Sequence, residues 1–575
     1  MNQLLAINAQ YPALFSSRAI ATNQVGYEAA GPKFAVLALG DGPDFTALRL
    51  REATTGELVF ETTPGEATGV DRWKTQRWQS AEFNSFTGAG RFLLEALDAS
   101  GARLVSEPFE IAEQLYAERF PAALLGYFQS QRTAEPYLSA DRAIPFIGSK
   151  RNARVDVHGG WYDASGDVSK YLSHLSYANF MNPQQTPLVV WALSKAAICP
   201  HIDAKLHTAF RAEALWGADF LVRMCDPAGM FYMTVFDRWS GDTAQREICS
   251  YATQKGHKHD TWEAGYRQGG GMAIAALARA ARLRQDGEFT AAEYLATAER
   301  AFAHLEVHNL EYLDNGEENI IDDYCALLAA TELSRSTHKP EYLVKAGERA
   351  TSLLNRLTGG HGHDGWWRAD NGTRPFFHAS DEGLPIAALV DYLAIAPEAD
   401  RPRVSAALAK VVRHLARITA EVANPFAYPR QLVKRSDGEI GTQFFYPHGN
   451  DSGYWWQGEN ARLGSLAYAL RRAMPHVDAE AAELARVQSQ RALDWILGLN
   501  PYHACMLQGF GRNWAIYGPA KFPNADGGIC NGITSSLTDE TDIGFCETED
   551  PFQSWRWSEQ WLPHAAWFLL AMTEY

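Results

Sequence analysis

The sequence predicts a β-sandwich of about a hundred residues followed by an all-α toroid of paired helices. Three observations predict it. Up to about residue 112 the chain alternates short apolar runs with Gly, Pro, Asp and Thr turns. From about residue 114 the apolar spacing becomes helical. The helices are joined by loops too long for simple connectors and rich in Trp, Tyr, His, Gly and Asp. The domains predicted are therefore 1–113 and 114–575.

In the first domain, Lys33–Leu39, Ala47–Arg51, Glu57–Glu61 and Gly90–Ala96 read as strands, separated by turns such as Thr54-Thr-Gly56 and Thr87-Gly-Ala-Gly90. In the second, about twelve helices are expected to begin near 114, 187, 205, 261, 290, 319, 339, 380, 401, 457, 478 and 561. Pro187 and Pro402 suit first turns, where a missing N–H costs little. Asp478 suits an N-cap. Gln268-Gly-Gly-Gly271 lacks a Walker lysine and a preceding strand, so close helix packing is expected there rather than phosphate binding. The stretches 131–170, 226–260, 359–379, 424–456 and 500–558 are expected to build one face of the toroid.

Composition narrows the function. A formal net charge of −16 argues against a nucleic-acid partner. The 17 Trp, 23 Tyr and 28 Phe fit a carbohydrate cleft, since flat aromatic faces stack on sugar rings. Seven scattered cysteines without a Cys-x-x-Cys suggest neither a disulfide framework nor a structural zinc. The loop histidines 361, 363, 378, 448 and 503 lack ligand spacing, so no metal and no cofactor are predicted. Oxygen-rich stretches such as Asp322-Asp323 and Asp539–Asp542 would permit a calcium without requiring one. The amino-terminal residues have no basic, apolar leader pattern and no run suits a membrane span, so no membrane partner and a cytoplasmic location are expected.

The chemistry concentrates in His158-Gly-Gly-Trp-Tyr-Asp-Ala-Ser-Gly-Asp-Val-Ser-Lys-Tyr171. Asp163 and Asp167 are close enough to compete for ionisation, which suits a pair that takes a proton from water. Trp161 and Tyr162 beside them offer sugar-binding faces. Glu559, between Trp555, Trp557 and Trp561, would be desolvated and held protonated, as a general acid must be. Its alternative is an ordinary glutamate serving the N–H groups of a first helical turn. Tyr454 and Trp456, in Gly453-Tyr-Trp-Trp-Gln457, and Trp366 and Trp367 are candidate platforms, or else pack beneath loops. His378, Asp381 and Trp555 complete the candidate substrate contacts. No Gly-x-Ser-x-Gly elbow is present.

These residues carry a resemblance. Gly159–Tyr171 resembles the Gly-Gly-Trp-x-Asp-Ala-Gly-Asp-x-x-Lys-Tyr signature of glycoside hydrolase family 9. Asn23-Gln-Val-Gly-Tyr27, Ala214-Leu-Trp-Gly-Ala-Asp-Phe-Leu221, and Trp495-Ile-Leu-Gly-Leu-Asn-Pro-Tyr502 before Gly509-Phe-Gly511 are similar to further motifs of that family. The resemblance implies an immunoglobulin-like β-sandwich followed by an (α/α)6 barrel. It implies inverting hydrolysis, with Asp167 as base, Asp163 as its companion in holding the water and Glu559 as acid, the carboxyls roughly 6.5–9.5 Å apart.

Three features depart from the family's cellulases. Ser165 lengthens the turn between the two aspartates. Gly511-Arg-Asn-Trp-Ala-Ile-Tyr-Gly-Pro519 replaces the Pro-His-His-Arg loop. Trp557-Ser-Glu-Gln-Trp-Leu-Pro-His564 replaces the usual surroundings of the acid. The altered pattern resembles the exo-β-glucosaminidase branch of chitin-degrading marine bacteria. The expected substrate is then a small chito-oligosaccharide losing glucosamine from its non-reducing end, with Asp381, Glu547 and Asp550 as candidate partners for the glucosaminium charge. The alternative is an endo- or exo-β-1,4-glucanase. The oligomeric state is left open.

Overall fold

The computed structural model describes residues 17–174, 178–252, 255–450, 452–453, 455, 459–517, 524–548 and 550–574. Its amino-terminal part is a two-layer β-structure. One layer orders Ala19–Ala21, Phe34–Ala38 and Trp78–Glu82; the other orders Gly26–Glu28, Phe109–Ala112, Gly90–Asp98, Phe45–Glu52 and Leu58–Thr62, with Arg103–Val105 also on Gly90–Asp98. The two kinds of strand differ for a physical reason. Phe45–Glu52 alternates between buried and open positions, as a strand with one wet face should. Phe34–Ala38 is buried at every position because Ala35 and Leu37 face the sandwich core while Phe34, Val36 and Ala38 face the helical domain.

Strands give way to helices between Ala112 and Leu115. Six inner helices, Thr186–Ala196, Gly271–Ala281, Ile320–Thr337, Leu384–Leu393, Asn460–Ala473 and Leu562–Met572, touch one another in sequence and close on themselves. Every residue of the first, fourth and sixth is buried, which explains their nearly unbroken apolar sequences. Pro121–Ser130, Ala204–Arg223, Ala291–Tyr312, Pro340–Asn355, Arg401–Thr419 and Ala479–Ile496 pack outside them. The result is an (α/α)6 barrel behind an immunoglobulin-like sandwich.

The end signals read from the sequence hold: Pro187 and Pro402 sit in first turns, and the Asp478 carboxylate accepts the N–H of Ala481. One expected helix starts late, at Gly271 instead of near 261, because Glu263-Ala264 pairs as a strand with Phe231-Tyr232. A π-turn at Tyr266–Gly270 follows. Gly269 takes φ 99°, and a Cβ there would lie 2.5 Å from that of Leu172, so the glycine run does serve close packing.

Links from inner to outer helices are short, whereas most of the links back to inner helices are long. The long loops therefore gather at the amino-terminal ends of the inner helices. They carry small sheets, including Lys170-Tyr171 paired with Thr234–Phe236, which pairs with Glu247–Ala252. The sandwich is docked by its own motif. Buried Asn23 donates to Asp494 and to the Tyr116 hydroxyl, both at 2.8 Å, and Gln24 N–H donates to the Leu497 carbonyl at 2.9 Å.

Candidate functional site

The segment Gly159–Tyr171 turns back on itself at Ala164–Asp167, where the Asp167 N–H donates to the Ala164 carbonyl at 3.1 Å. The segment is anchored from below. Lys170 is fully buried and donates to the carbonyls of Val157 and Gly159 and to Asp141, which also receives two bonds from Arg246. The turn is anchored from the side by the chain's far end. The Ser165 N–H donates to the Gln560 carbonyl at 2.9 Å, and the Gln560 N–H donates to Ser165 Oγ at 3.0 Å. Ala164 also bridges to Trp561. Ser165, the extra residue of the turn, thus pins it to the strand-like link that carries Glu559.

This brings three carboxyl groups to one place. Asp163 accepts from Trp561 Nε1 at 3.0 and 3.1 Å and from the Gln185 amide. Asp167 accepts from the Ser169 N–H and the Tyr171 hydroxyl, each at 2.8 Å, and from Trp239 Nε1 at 3.1 Å. Glu559 Oε1 accepts the N–H of Gly166, the residue before Asp167, at 3.1 Å. Glu559 lies three residues before the final helix, whose N-cap is Trp561, so it is not a first-turn capping residue. Gly166 has no spare room: a Cβ would lie 2.5 Å from Glu559 Oε1 and 2.7 Å from the Tyr517 hydroxyl.

Burial raises all three carboxyls above their ordinary values, and their acidic neighbours add to it. Asp163 is raised by burial and then by the charge of Asp167. Asp167 is raised by burial and then by Asp237, against the donors on Ser169 and Tyr171. Glu559 keeps part of its surface exposed but is otherwise enclosed; burial and Asp167 push it up to about 8. At neutral pH it holds its proton. A proton donor beside a paired set of hydrogen-bonded carboxylates can deliver a proton at one point and accept one from water at another.

The other candidates fare differently. Trp161 is fully buried with its ring over Gly217 and its N–H on Glu213 at 2.8 Å, so it has no face for a sugar. Tyr162 is 2% exposed and its hydroxyl accepts from the Ala134 N–H at 2.9 Å; it braces the loop from within. His378 is fully buried, and its Nδ1 accepts the N–H groups of Ser380 and Asp381 at 3.0 and 2.8 Å. Asp381 is fully buried too, held by the Gln184 N–H, the Ser380 hydroxyl and Trp567 Nε1, so it cannot meet a substrate cation. Trp366 and Trp367 are buried under their hairpin. Trp555 is half-buried with the Arg556 guanidinium over its ring at 4.9 Å. Tyr454 and Trp456 lie outside the described residues. The Glu547 carboxylate accepts from the Leu537 N–H at 2.7 Å, and Asp550 is exposed beside the Pro551–Ser558 helix.

Sequence reasoning missed Gln185, Trp239 and Tyr517. Each comes from a different loop, and a lone residue in a long loop has no spacing to betray it. Among the described residues, no group of three or more His, Cys, Asp or Glu side chains is arranged to hold a metal ion. None of the described helices is long and apolar enough to cross a membrane. The seven cysteines are unpaired.

Comparison with known proteins fits this architecture. The profile of a cellulase N-terminal ig-like domain matches residues 16–100, and that of glycosyl hydrolase family 9 matches residues 116–518. Asp163 and Asp167 fall inside the second match and Glu559 beyond it. Endoglucanase C of Cellulomonas fimi is 30% identical over 262 residues, a match that spans 39% of this chain but only 23% of that protein. A metagenome-derived glycoside hydrolase family 9 endoglucanase has a similar structure, with TM-score 0.66 at 20% identity over 97% of this chain and 98% of its own. A family 9 protein of Bacteroides ovatus follows at 0.64 and 21% identity, over 96% and 98% of the two chains. With its sandwich, its six-pair barrel and a profile match across most of the barrel, the chain belongs to glycosyl hydrolase family 9.

Proposed function

We infer that the chain hydrolyses β-1,4 bonds between gluco-configured sugars in short oligosaccharides, with inversion at the anomeric carbon. Glu559 gives its proton to the glycosidic oxygen. Asp167, aided by Asp163, draws a proton from the water that attacks the opposite face of the sugar. The observation that carries this reading is the gathering of the three carboxyls at one turn, with Glu559 protonated at neutral pH and every other partner of the aspartates a neutral donor. The names of the relatives favour β-1,4-glucan as the substrate.

A second reading, release of glucosamine from chito-oligosaccharides, is favoured by where the chain departs from the cellulase pattern. Ser165, Tyr517 and Gln560 all belong to the departing segments, and all three are gathered around the proton donor. Tyr517 is partly exposed and could touch a sugar, whereas Ser165 and Gln560 are buried and would act through the position of Glu559.

The test is chromatography of the products from paired disaccharides and tetrasaccharides, cellobiose-type against glucosaminyl-type, with anomeric configuration followed by NMR. Internal cleavage of cellotetraose supports the glucanase, and glucosamine released singly supports the second reading. Activity should fall as pH rises through about 8, where Glu559 loses its proton. Retention of configuration, or activity undiminished well above that pH, would overturn the assignment of roles.

A further inference from the structure

The hairpin that follows Thr234–Phe236 places Trp239 against Asp167 in a conformation that tryptophan rarely adopts. Arg238 and Trp239 are consecutive residues with φ 62° and 58°, the left-handed region that Cβ sterics disfavour for an L-residue. The turn holds because Asp237, fully buried, ties it together. One of its oxygens accepts the Trp239 N–H at 3.0 Å and the Ser169 hydroxyl at 3.3 Å; the other accepts the Gly241 N–H at 2.6 Å. Phe236 and Tyr251 support the indole edge-on, with centroids 5.1 and 5.8 Å away. Gly256 packs where a Cβ would lie 2.8 Å from the ring.

All this support leaves the residue 37% exposed, with its indole N–H on Asp167 Oδ2. Core packing does not require a strained backbone to hold a large apolar ring partly in water. Strain of this kind gathers where a side chain must be aimed.

We propose that Trp239 is a sugar-binding wall and a positioning residue for the base: its indole face stacks on the apolar C–H face of the pyranose beside the attacking water, while its N–H fixes the orientation of Asp167. This rests on the reading of the acids given above. The two roles separate by substitution. Trp239→Phe keeps an aromatic face and removes the donor; Trp239→Ala removes both.

For Trp239→Ala, KM and the dissociation constant of a non-cleaved disaccharide rise at least about tenfold, since a stacked face and its desolvation are lost. For Trp239→Phe the dissociation constant stays within about threefold, while the acid limb of kcat/KM moves to higher pH, because losing a donor to the carboxylate disfavours its charged form. The groups facing Asp167 are Asp163, Asp237, Glu559, Tyr171, Tyr517 and Arg246, and none is altered in either variant.

If the wild type hydrolyses its glycoside and both variants keep its KM and pH profile, this inference fails and the proposed function stands. If the wild type cleaves none of the panel, the proposed function fails, and calorimetric binding of cellobiose and chitobiose decides alone. Binding lost in Trp239→Ala and kept in Trp239→Phe then supports the wall. Equal binding in all three proteins, or none in any, overturns it.

Discussion

The barrel buries carboxylates at both ends, and the two groups behave in opposite ways. At the loop end, Asp163, Asp167 and Glu559 are surrounded by indoles, hydroxyls, an amide and backbone N–H groups, and by one another. All three are raised. At the other end, where the inner helices finish, Glu332 accepts from Arg279 at 3.1 Å, from Trp191 at 2.9 Å and from Arg282. Asp391 there meets Arg472 at 2.7 Å and Lys195 at 3.4 Å. Burial raises Glu332 as it raises Glu559, but Arg279 and Arg282 outweigh it and hold Glu332 at about 2. Asp391 is likewise lowered, Lys195 and Arg472 overcoming its burial.

Depth is therefore not what separates the groups. The charge of the neighbours is. Cations at the carboxyl-terminal ends of helices also meet the negative end of the helix dipoles, which makes that end the natural place for a permanent ionic plug. The three acids of the site have neutral hydrogen-bond donors in place of cations, an arrangement that costs stability and keeps a proton available.

The strongest way to break this contrast is to replace one carboxyl group at each end. Glu559→Gln should lower kcat by about 10²–10⁴-fold on unactivated glycosides with little change in KM, as loss of a general acid does. The measurement is steady-state kinetics on the oligosaccharide identified by the product panel. A variant that retains wild-type kcat would remove Glu559 from the chemistry.

At the other end, Glu332→Ala leaves Arg279, Arg282 and the Trp191 N–H without their acceptor. About 3–5 kcal/mol of stability should be lost, seen as a lower chemical-unfolding midpoint, while the folded enzyme keeps its kcat within about twofold. A large fall in kcat without loss of stability would mean that the two ends are not separate in function.

A smaller effect sharpens the comparison. The folded enzyme holds the Glu559 proton up to about pH 8, whereas the unfolded chain releases it in the ordinary carboxylate range. Glu559 thus contributes stability at low pH that is lost as pH rises through about 8. Glutamine cannot ionise, so Glu559→Gln should melt higher than the wild type by about 1–3 °C at pH 8.5, with the difference shrinking toward pH 5. Differential scanning calorimetry across that range checks it, and a constant difference would deny the raised acidity.

Much of the fold was legible because it is written in periodicity. Strand alternation at Phe45–Glu52, the prolines opening Thr186–Ala196 and Arg401–Thr419, and the Asp478 cap are local signals that tertiary structure left in place. The late start at Gly271 was not legible, since the apolar residues before it serve a two-residue strand and a π-turn made by distant partners. At the site, proximity in sequence pointed to Asp163 and Asp167, and tryptophan density pointed to Glu559. The same density misled at Trp161, which is aromatic and next to the acids yet turned into the core by its bond to Glu213.

What the sequence determined alone is therefore the list of elements and the presence of carboxyls able to act, because helix caps, strand alternation and charge are properties of neighbouring residues. Which carboxyls come together, which are neutralised by arginine, and that the indole of Trp239 rather than that of Trp161 faces the acids were decided only by tertiary structure. Those outcomes depend on which loops meet at the end of the barrel, and pairs such as Gly166 with Glu559 are 393 positions apart in the chain.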